Sequence, residues 1–242
     1  MTKAKLQTLM TEDWVEALYP YFQTDSFKKL SNQIASDRKI TEVYPKKENI
    51  FRVFKETALK DVKVVLLGDS PSNMTLWDGT PVSNGRAYGS DKLIVIPKET
   101  KQLHEELGEP LGFDYSLQHL VDQGVLLLNM KLTSTKNGNV HVEWYDFIKV
   151  VFKVLNKRGN LDIIFKNVDS DYLKSLFDNP TIVVEKYISN ISYINWKDST
   201  PLSLIDKMRT YTRRYHENAA KMINFIPQEE IEIIPPKTNE NE

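Results

Sequence analysis

The sequence predicts an α/β fold in which a central four-stranded, mainly parallel sheet is flanked by helices on both faces. Two observations carry this prediction. Short runs of apolar residues recur along the chain, and stretches with helical spacing of apolar residues separate them. Strands that alternate with helices are typical of parallel sheets. The apolar runs lie at residues 62–67, 124–129, 161–165 and 181–185.

Composition limits the class of protein. The chain has 242 residues, a formal net charge of −1 and no cysteine. We predict one domain at residues 1–226 and a flexible, acidic, proline-containing tail at residues 227–242. The lack of cysteine excludes disulfides and thiolate metal sites, and neither a signal peptide nor a membrane-length apolar run is evident. We expect a cytoplasmic protein of a low-GC bacterium or phage, without metal or other cofactor.

The helices are predicted from the spacing of apolar side chains. This spacing indicates helices within residues 11–36 and an amphipathic helix at residues 49–59, with a turn at residues 44–47 between them. Later helices are predicted at residues 97–107, 118–123, 144–155, 172–177 and 204–223. The basic residues of the last helix are either a contact with nucleic-acid phosphates or an ordinary solvated face. They are Lys207, Arg209, Arg213, Arg214 and Lys221.

Two of the predicted strands end in polar residues. The first runs into Gly68 and the polar residues 69–73, and the second ends at Asn129. Open α/β sheets bind ligands at the carboxyl ends of their central strands. The connection after Gly68 is also long and rich in Gly, Pro, Ser and Asn, as functional loops often are. Any site is therefore expected around residues 68–73.

Several segments together resemble family 1 uracil-DNA glycosylases. Residues 61–68 (Asp-Val-Lys-Val-Val-Leu-Leu-Gly) resemble the run before that family's water-activating loop, and residues 123–129 (Gln-Gly-Val-Leu-Leu-Leu-Asn) resemble its uracil-binding strand. Residues 85–88 (Gly-Arg-Ala-Tyr) are similar to its Gly-x-Ala-Phe segment, and residues 200–203 (Thr-Pro-Leu-Ser) to the end of its DNA-intercalating loop. The resemblance implies a DNA partner whose target base is flipped out and cleaved at its N-glycosidic bond.

The resemblance implies three base-binding positions. Asn129 matches the asparagine that reads the pyrimidine edge, because an amide can pair with both an N–H and a C=O of the base. Tyr88 stands for the stacking phenylalanine and still offers an aromatic face. Ser72 replaces the tyrosine that excludes the thymine methyl group, which opens the pocket beside the 5-position of the base. Judged alone, Asn129 is equally a strand cap, and plain core packing is the less favoured interpretation of Tyr88.

Two catalytic positions of the family carry different residues here. The motif Gly-Gln-Asp-Pro-Tyr-His stands as Gly-Asp-Ser-Pro-Ser-Asn at residues 68–73. Ser70 replaces the aspartate that orients water and offsets the sugar cation, and a hydroxyl has no charge to do so. Asp198 replaces the histidine that stabilises the uracil anion, which a carboxylate repels. We therefore expect Asp69, Ser70 and Asp198 to occupy degenerate catalytic positions that support little uracil excision.

The remaining implied contacts are with the DNA strand. Leu202 matches the wedge that fills the gap left by a flipped base, although a leucine on an irregular segment is also commonly a core residue. The resemblance places backbone contacts at Pro71, Thr200, Pro201 and Ser203. The connection that ends at Tyr88 is about five residues longer than is usual in the family.

Three functions stay open from the sequence. The first is a protein without efficient excision that binds DNA, a protein partner or both in replication, repair or a virus–host contest; poxviral members of the family act as polymerase processivity factors. The second is a glycosylase for a 5-modified pyrimidine in which Asp69 or Asp78 orients the water. The third is a protein-interaction module whose binding depends little on salt.

The four histidines show no metal-ligand spacing, so no metal site is predicted. They are His104, His119, His141 and His216. Of these, His141 directly follows the polar loop at residues 133–140. It is the one candidate substitute for the missing catalytic histidine.

Overall fold

The computed structural model describes residues 1–92, 94–107, 114–158, 162–165 and 182–185. Three predicted features lie outside the described residues: the helix at residues 172–177, the basic helix at residues 204–223 and the tail at residues 227–242. Within the described ranges, no helix has both the length and the apolar character needed to cross a membrane.

The described part of the chain contains seven α-helices and six β-strands. The helices are α1 (Lys3–Gln7), α2 (Glu12–Leu18), α3 (Asp25–Ile40), α4 (Arg52–Glu56), α5 (Lys98–Leu107), α6 (Gln118–Val121) and α7 (Trp144–Arg158). The strands are β1 (Val43–Tyr44), β2 (Val64–Gly68), β3 (Val125–Asn129), β4 (Ser134–Thr135), β5 (Asp162–Phe165) and β6 (Ile182–Glu185).

Four strands form the main sheet in the order β3-β2-β5-β6, and every neighbouring pair is parallel. These strands occur close to the predicted apolar runs. Every residue of β2 and β3 is buried, which explains why their sequences are continuously apolar rather than alternating. The register of β2 with β3 places Gly68 opposite Asn129. The polar ends of the two strands therefore leave the sheet side by side.

A second, small sheet was not predicted. Strands β1 and β4 pair antiparallel, with Val43 opposite Thr135 and Tyr44 opposite Ser134. The predicted polar loop at residues 133–140 is wrong for Ser134 and Thr135, because both are buried in this pairing. Strands of two residues are too short to show a period of two, and so a periodicity argument cannot find them.

The predicted N-terminal helices are present, with differences at their ends. Helix α3 begins after Thr24, whose hydroxyl accepts a hydrogen bond of 3.2 Å from the Phe27 N–H and so caps the first turn. Helix α1 was not predicted. The helix predicted at residues 49–59 is shorter: α4 spans Arg52–Glu56, with single turns at residues 47–49 and 59–61.

Aromatic side chains join α2, α4 and α7 in one buried cluster. The rings of Trp14 and Phe54 meet edge to face with centroids 5.1 Å apart, and Phe54 lies 5.6 Å from Phe147. Trp14 also donates a hydrogen bond of 2.9 Å from Nε1 to the Thr57 carbonyl. The cluster belongs to the same core as β2 and β3. The buried side chains of β2 and β3 thus pack in the core, and the carboxyl ends of the two strands are available to form the site.

Candidate base-binding site

A cavity of about 420 Å³ opens at the carboxyl ends of β2 and β3. Six predicted site residues line it: Asp69, Ser70, Pro71, Ser72, Tyr88 and Asn129. Residues that the sequence analysis did not single out complete it, among them Met74, Ser83, Arg86, Glu99 and Thr100. The remaining predicted positions, Asp198, Thr200, Pro201, Leu202 and Ser203, lie outside the described residues.

Three segments meet at the floor of the cavity. The Met130 N–H donates to the Gly68 carbonyl at 2.9 Å, so the chains that leave β2 and β3 stay paired beyond the sheet. The Ala87 N–H donates to the Leu127 carbonyl at 2.9 Å and brings in the third segment. A Cβ atom on Gly68 would lie 2.5 Å from the Asn129 Oδ1 atom. Glycine is therefore required at residue 68 for the Asn129 side chain to take this position.

Asn129 is the buried polar group of the cavity that has unused hydrogen-bonding capacity. Its side chain is 4 % exposed, and its amide has no hydrogen-bond partner among the described residues. The Ser83 hydroxyl, which also lines the cavity, is likewise buried without a partner in this part of the chain. The Asn129 amide can therefore pair with a ligand that enters the cavity, and the buried Ser83 hydroxyl suits a ligand that supplies a partner.

Tyr88 is held in a strained backbone conformation. Its φ angle of +60° lies in the left-handed region, which bulky residues rarely adopt. The Tyr88 hydroxyl donates a hydrogen bond of 3.3 Å to the Leu67 carbonyl, which ties the ring to β2. Burial raises the pKa of the Tyr88 hydroxyl, and the negative charges of Glu99 and Asp69 raise it further, so Tyr88 stays neutral.

The segment that carries Tyr88 rests on a network of ion pairs around the buried Arg86. We name residues 83–91 the arginine wall. The Arg86 side chain is fully buried; its Nε donates to a Glu56 carboxylate oxygen at 2.8 Å, and one of its terminal nitrogens donates to the Ser116 carbonyl at 2.6 Å. The other terminal nitrogen donates to the Gln118 side chain. Every part of the guanidinium is therefore used within the protein.

Glu56 connects Arg86 to a second arginine. The Arg52 Nε donates to the other Glu56 carboxylate oxygen at 2.6 Å, and Arg52 also pairs with Asp91 at 2.8 Å. Asp91 in turn accepts a hydrogen bond of 2.8 Å from the Asn84 amide. Burial alone raises the pKa of Glu56, but the hydrogen bonds and charges of Arg86 and Arg52 outweigh it and lower that pKa. The arginine wall thus remains ion-paired at neutral pH.

The opposite side of the cavity, which we name the motif loop (residues 69–73), has weaker support. The Asp69 carboxylate forms an ion pair with Lys131 at 2.5 Å, but 53 % of its side chain is exposed. The Pro71 carbonyl accepts a hydrogen bond of 2.9 Å from the Ser134 hydroxyl, and the Ser72 hydroxyl accepts one of 3.2 Å from the Met74 N–H. No buried ion pair among the described residues holds this loop.

Two candidates for relocated chemistry lie away from the cavity. His141 is buried and uses both ring nitrogens: Nδ1 is 2.8 Å from the Thr133 hydroxyl and Nε2 is 2.9 Å from an Asp37 carboxylate oxygen. It is not among the residues that line the cavity, so these contacts give it a structural role and do not support it as a substitute for the catalytic histidine. Asp78 accepts a hydrogen bond of 2.8 Å from the Thr80 N–H and caps a turn. Of the aspartates considered, Asp69 is the one that the described residues place at the cavity.

The cavity offers no cluster of metal ligands. Among the described residues, no group of three or more His, Asp or Glu side chains is arranged to hold an ion. The cation among the cavity-lining residues, Arg86, is already paired with Glu56. A neutral, planar ligand with hydrogen-bonding edges fits these surroundings better than a phosphate group does.

Comparisons with known proteins give one consistent result. No protein-family model matches the chain. The uracil-DNA glycosylase of Alkaliphilus oremlandii is 29% identical over 203 residues, which cover 81% of this chain and 84% of the relative. The uracil-DNA glycosylase of Lactobacillus acidophilus is 30% identical over 164 residues, which cover 64% of this chain and 68% of the relative.

Solved structures resemble the fold as well. The crystal structure of mimivirus uracil-DNA glycosylase superposes with a TM-score of 0.65 at 19% identity, over 77% of this chain and 70% of that one. A variant of the mimivirus protein in complex with UGI gives a TM-score of 0.66 at 18% identity, over 77% and 72% of the two chains. At this level of identity, the structures support the fold.

Proposed function

The chain belongs to the uracil-DNA glycosylase family, and on that premise we propose that it binds DNA with one base turned into the cavity at Asn129 while releasing little or no uracil. The observation that carries the proposal is the Asn129 amide, which is buried at the cavity and has no hydrogen-bond partner among the described residues. A base edge supplies the donor and the acceptor that this amide lacks.

The shape and charge of the cavity support a base as the ligand. The Tyr88 ring offers an aromatic face, and its hydroxyl is already occupied by the Leu67 carbonyl, so the ring meets a ligand as an apolar surface. The carboxylates of Asp69 and Glu99 lie at the cavity, and Arg86 is neutralised by Glu56. A neutral base is favoured over an anionic group in such a field.

The loss of excision is proposed from the two exchanged catalytic positions. Ser70 lines the cavity at the position where the family resemblance expects a charged aspartate. Without that charge the sugar cation is not offset, and a single contact of this kind is worth about 10²–10³ in rate. Asp198 adds a second loss through repulsion of the leaving anion. The two losses together leave a protein that retains binding and lacks the chemistry.

A binding measurement on matched oligonucleotides tests recognition of the base. We expect a labelled single strand with one uracil to bind about 10-fold more tightly than the same strand with an abasic analogue at that position. Asn129→Ala should remove this difference. Asn137→Ala is the matched control, because Asn137 is exposed and does not line the cavity. Equal affinity of the unmodified protein for both strands would contradict the proposal.

A second candidate function rests on Ser72. This residue lines the cavity, and its small side chain leaves room where the family resemblance expects a tyrosine ring. A glycosylase that accepts 5-modified pyrimidines is the enzyme this change favours, with Asp69 as the carboxylate at the cavity. This second function is supported if the unmodified protein releases 5-hydroxymethyluracil from DNA and if both Ser72→Tyr and Asp69→Asn lose that activity. Activity retained by Asp69→Asn would exclude Asp69 as the group that orients the water.

The proposal extends to parts of the protein outside the described residues. We propose one domain at residues 1–226 with helices on both faces of the sheet, and DNA-backbone contacts by Thr200, Pro201 and Ser203 around a Leu202 wedge. A protein partner in replication or repair would act on this DNA-bound form. Binding to DNA that weakens steeply with salt supports these contacts, because each neutralised phosphate releases counterions.

A further inference from the structure

The chain between the motif loop and the arginine wall forms an ordered hairpin at residues 74–82. Thr75 and Pro81 form an antiparallel bridge, and the Val82 N–H donates to the Met74 carbonyl at 3.0 Å. Nearer the tip, the Leu76 N–H donates to the Thr80 carbonyl at 2.8 Å. The sequence analysis expected a long loop here and did not predict the hairpin. Its backbone bonds give its tip a defined position.

The tip of this hairpin presents Trp77 to solvent. The Trp77 side chain is 93 % exposed, although indoles are usually packed against other residues. The tight turn depends on Gly79, whose φ is +78°, and on the Asp78 carboxylate, which accepts the Thr80 N–H at 2.8 Å. The turn residues thus fix the backbone and leave the largest side chain of the hairpin without packing.

The hairpin lies directly beside the cavity. Met74, at its base, lines the cavity, and Val82, at its other end, is buried. Trp77 is three positions after Met74 in the sequence, so their Cα atoms are at most about 11 Å apart. A stacked strand advances by about 3.4 Å per nucleotide. Trp77 is therefore within reach of the nucleotides that flank a base held in the cavity.

The charges of this segment restrict what the hairpin can contact. Residues 64–85 contain no lysine or arginine, so neither the hairpin nor the motif loop supplies a cation for phosphate groups. Asp78 beside Trp77 carries a negative charge and has its pKa lowered by hydrogen bonds from Thr80. An exposed indole on a segment without its own cations offers stacking on a base, which is favourable with any base because every base has an aromatic face.

We propose that Trp77 stacks on an unpaired DNA base next to the base held in the cavity. This inference rests on the proposed function and adds to it the class of substrate, a single-stranded or locally unpaired site. It also separates two contributions to affinity. Stacking by Trp77 depends little on salt, whereas phosphate contacts made elsewhere in the chain carry the salt dependence.

Affinity measurements with two single-stranded oligonucleotides test the stacking. Both carry one uracil; in the second, the three nucleotides on each side of it are abasic, so that phosphates remain and bases are removed. We expect Trp77→Ala to weaken binding of the first strand by about 10-fold and to leave binding of the second unchanged. Trp77→Phe should restore most of the loss, and the slope of affinity against salt should stay the same.

Ile40→Ala is the matched control, because Ile40 is 84 % exposed and lies outside the cavity. Thermal melting of all variants checks that the folded state is unchanged. If Trp77→Ala binds DNA as well as the unmodified protein does while Asn129→Ala binds it less well, the stacking proposal is wrong and the proposed function stands. Trp77 would then belong to a surface for a protein partner. Equal losses on both strands would also overturn the stacking proposal. A protein that binds neither strand contradicts both proposals.

Discussion

The two sides of the cavity are built in opposite ways. The arginine wall is fixed by a chain of ion pairs that runs from the exposed Asp91 through the half-buried Arg52 and Glu56 to the buried Arg86. The motif loop is held by an ion pair from a half-exposed aspartate and by single hydrogen bonds. The side that presents the aromatic ring is thus held by connected ion pairs, whereas the side that carries Ser70 is held mainly by single hydrogen bonds. We propose that this difference corresponds to base binding without efficient excision.

The largest expected effect comes from returning the chemistry to the motif loop. Ser70→Asp combined with Asp198→His should raise uracil release from DNA by at least about 10²-fold, because each position is worth about 10²–10³ in rate. Single-turnover release of free uracil measures this effect. Each single variant should give less than the pair. If the pair releases no more uracil than the unmodified protein, then the cavity does not hold the base as proposed.

The second effect concerns stability and compares the two sides with matched substitutions. Glu56→Gln leaves the buried Arg86 without its charged partner and should lower the free energy of unfolding by about 3 kcal/mol. Asp69→Asn removes a half-exposed ion pair and should cost less than about 1 kcal/mol. Denaturation in urea measures both. Equal losses for the two variants would contradict the contrast between the sides.

The third effect is a dependence of stability on pH. The pKa of Glu56 in the folded protein lies below its ordinary value of 4.5, so its ion pairs add stability above pH 4.5. This contribution is lost as the pH falls through the lowered pKa. We expect the unmodified protein to lose stability as the pH drops below 4.5, and Glu56→Gln to lose less over the same range. Parallel curves for the two proteins would exclude Glu56 as a source of this dependence.

The smallest effect is expected at Tyr88. Tyr88→Phe removes the hydrogen bond to the Leu67 carbonyl and should cost about 1 kcal/mol of stability. Because the aromatic face remains, affinity for the uracil-containing strand should change by less than about 2-fold. A large loss of affinity in this variant would show that the hydroxyl, and not the ring face, contacts the base.

The elements of this fold that the sequence predicts are those with a continuous or periodic run of apolar residues. Strands β2 and β3 are continuous apolar runs with polar ends, whereas the register that puts Gly68 beside Asn129 is seen only in the structure. The arginine wall has no such pattern, because Arg86 and Glu56 are 30 residues apart in sequence. His141 was considered for catalysis because it lies in a polar loop, whereas its contacts with Asp37 and Thr133 depend on the tertiary structure.

The hairpin shows a further limit of sequence reasoning. Gly79 and Pro81 indicated a loop, but the bridge between Thr75 and Pro81 has only one residue on each side and therefore no period. The exposure of Trp77 is opposite to what an aromatic residue in a loop suggests. The tight turn at the tip of the hairpin, and not the apolar character of the indole, leaves Trp77 facing solvent.

The most direct measurement is base release by the unmodified protein. The purified protein is incubated in excess over single-stranded and duplex DNA carrying uracil or 5-hydroxymethyluracil, and free base is measured by mass spectrometry while binding is followed on the same strands. We predict binding that requires Asn129 together with little or no free base. Rapid release of uracil that Asn129→Ala abolishes would contradict the account, because the cavity would then excise the base despite Ser70 and Asp198.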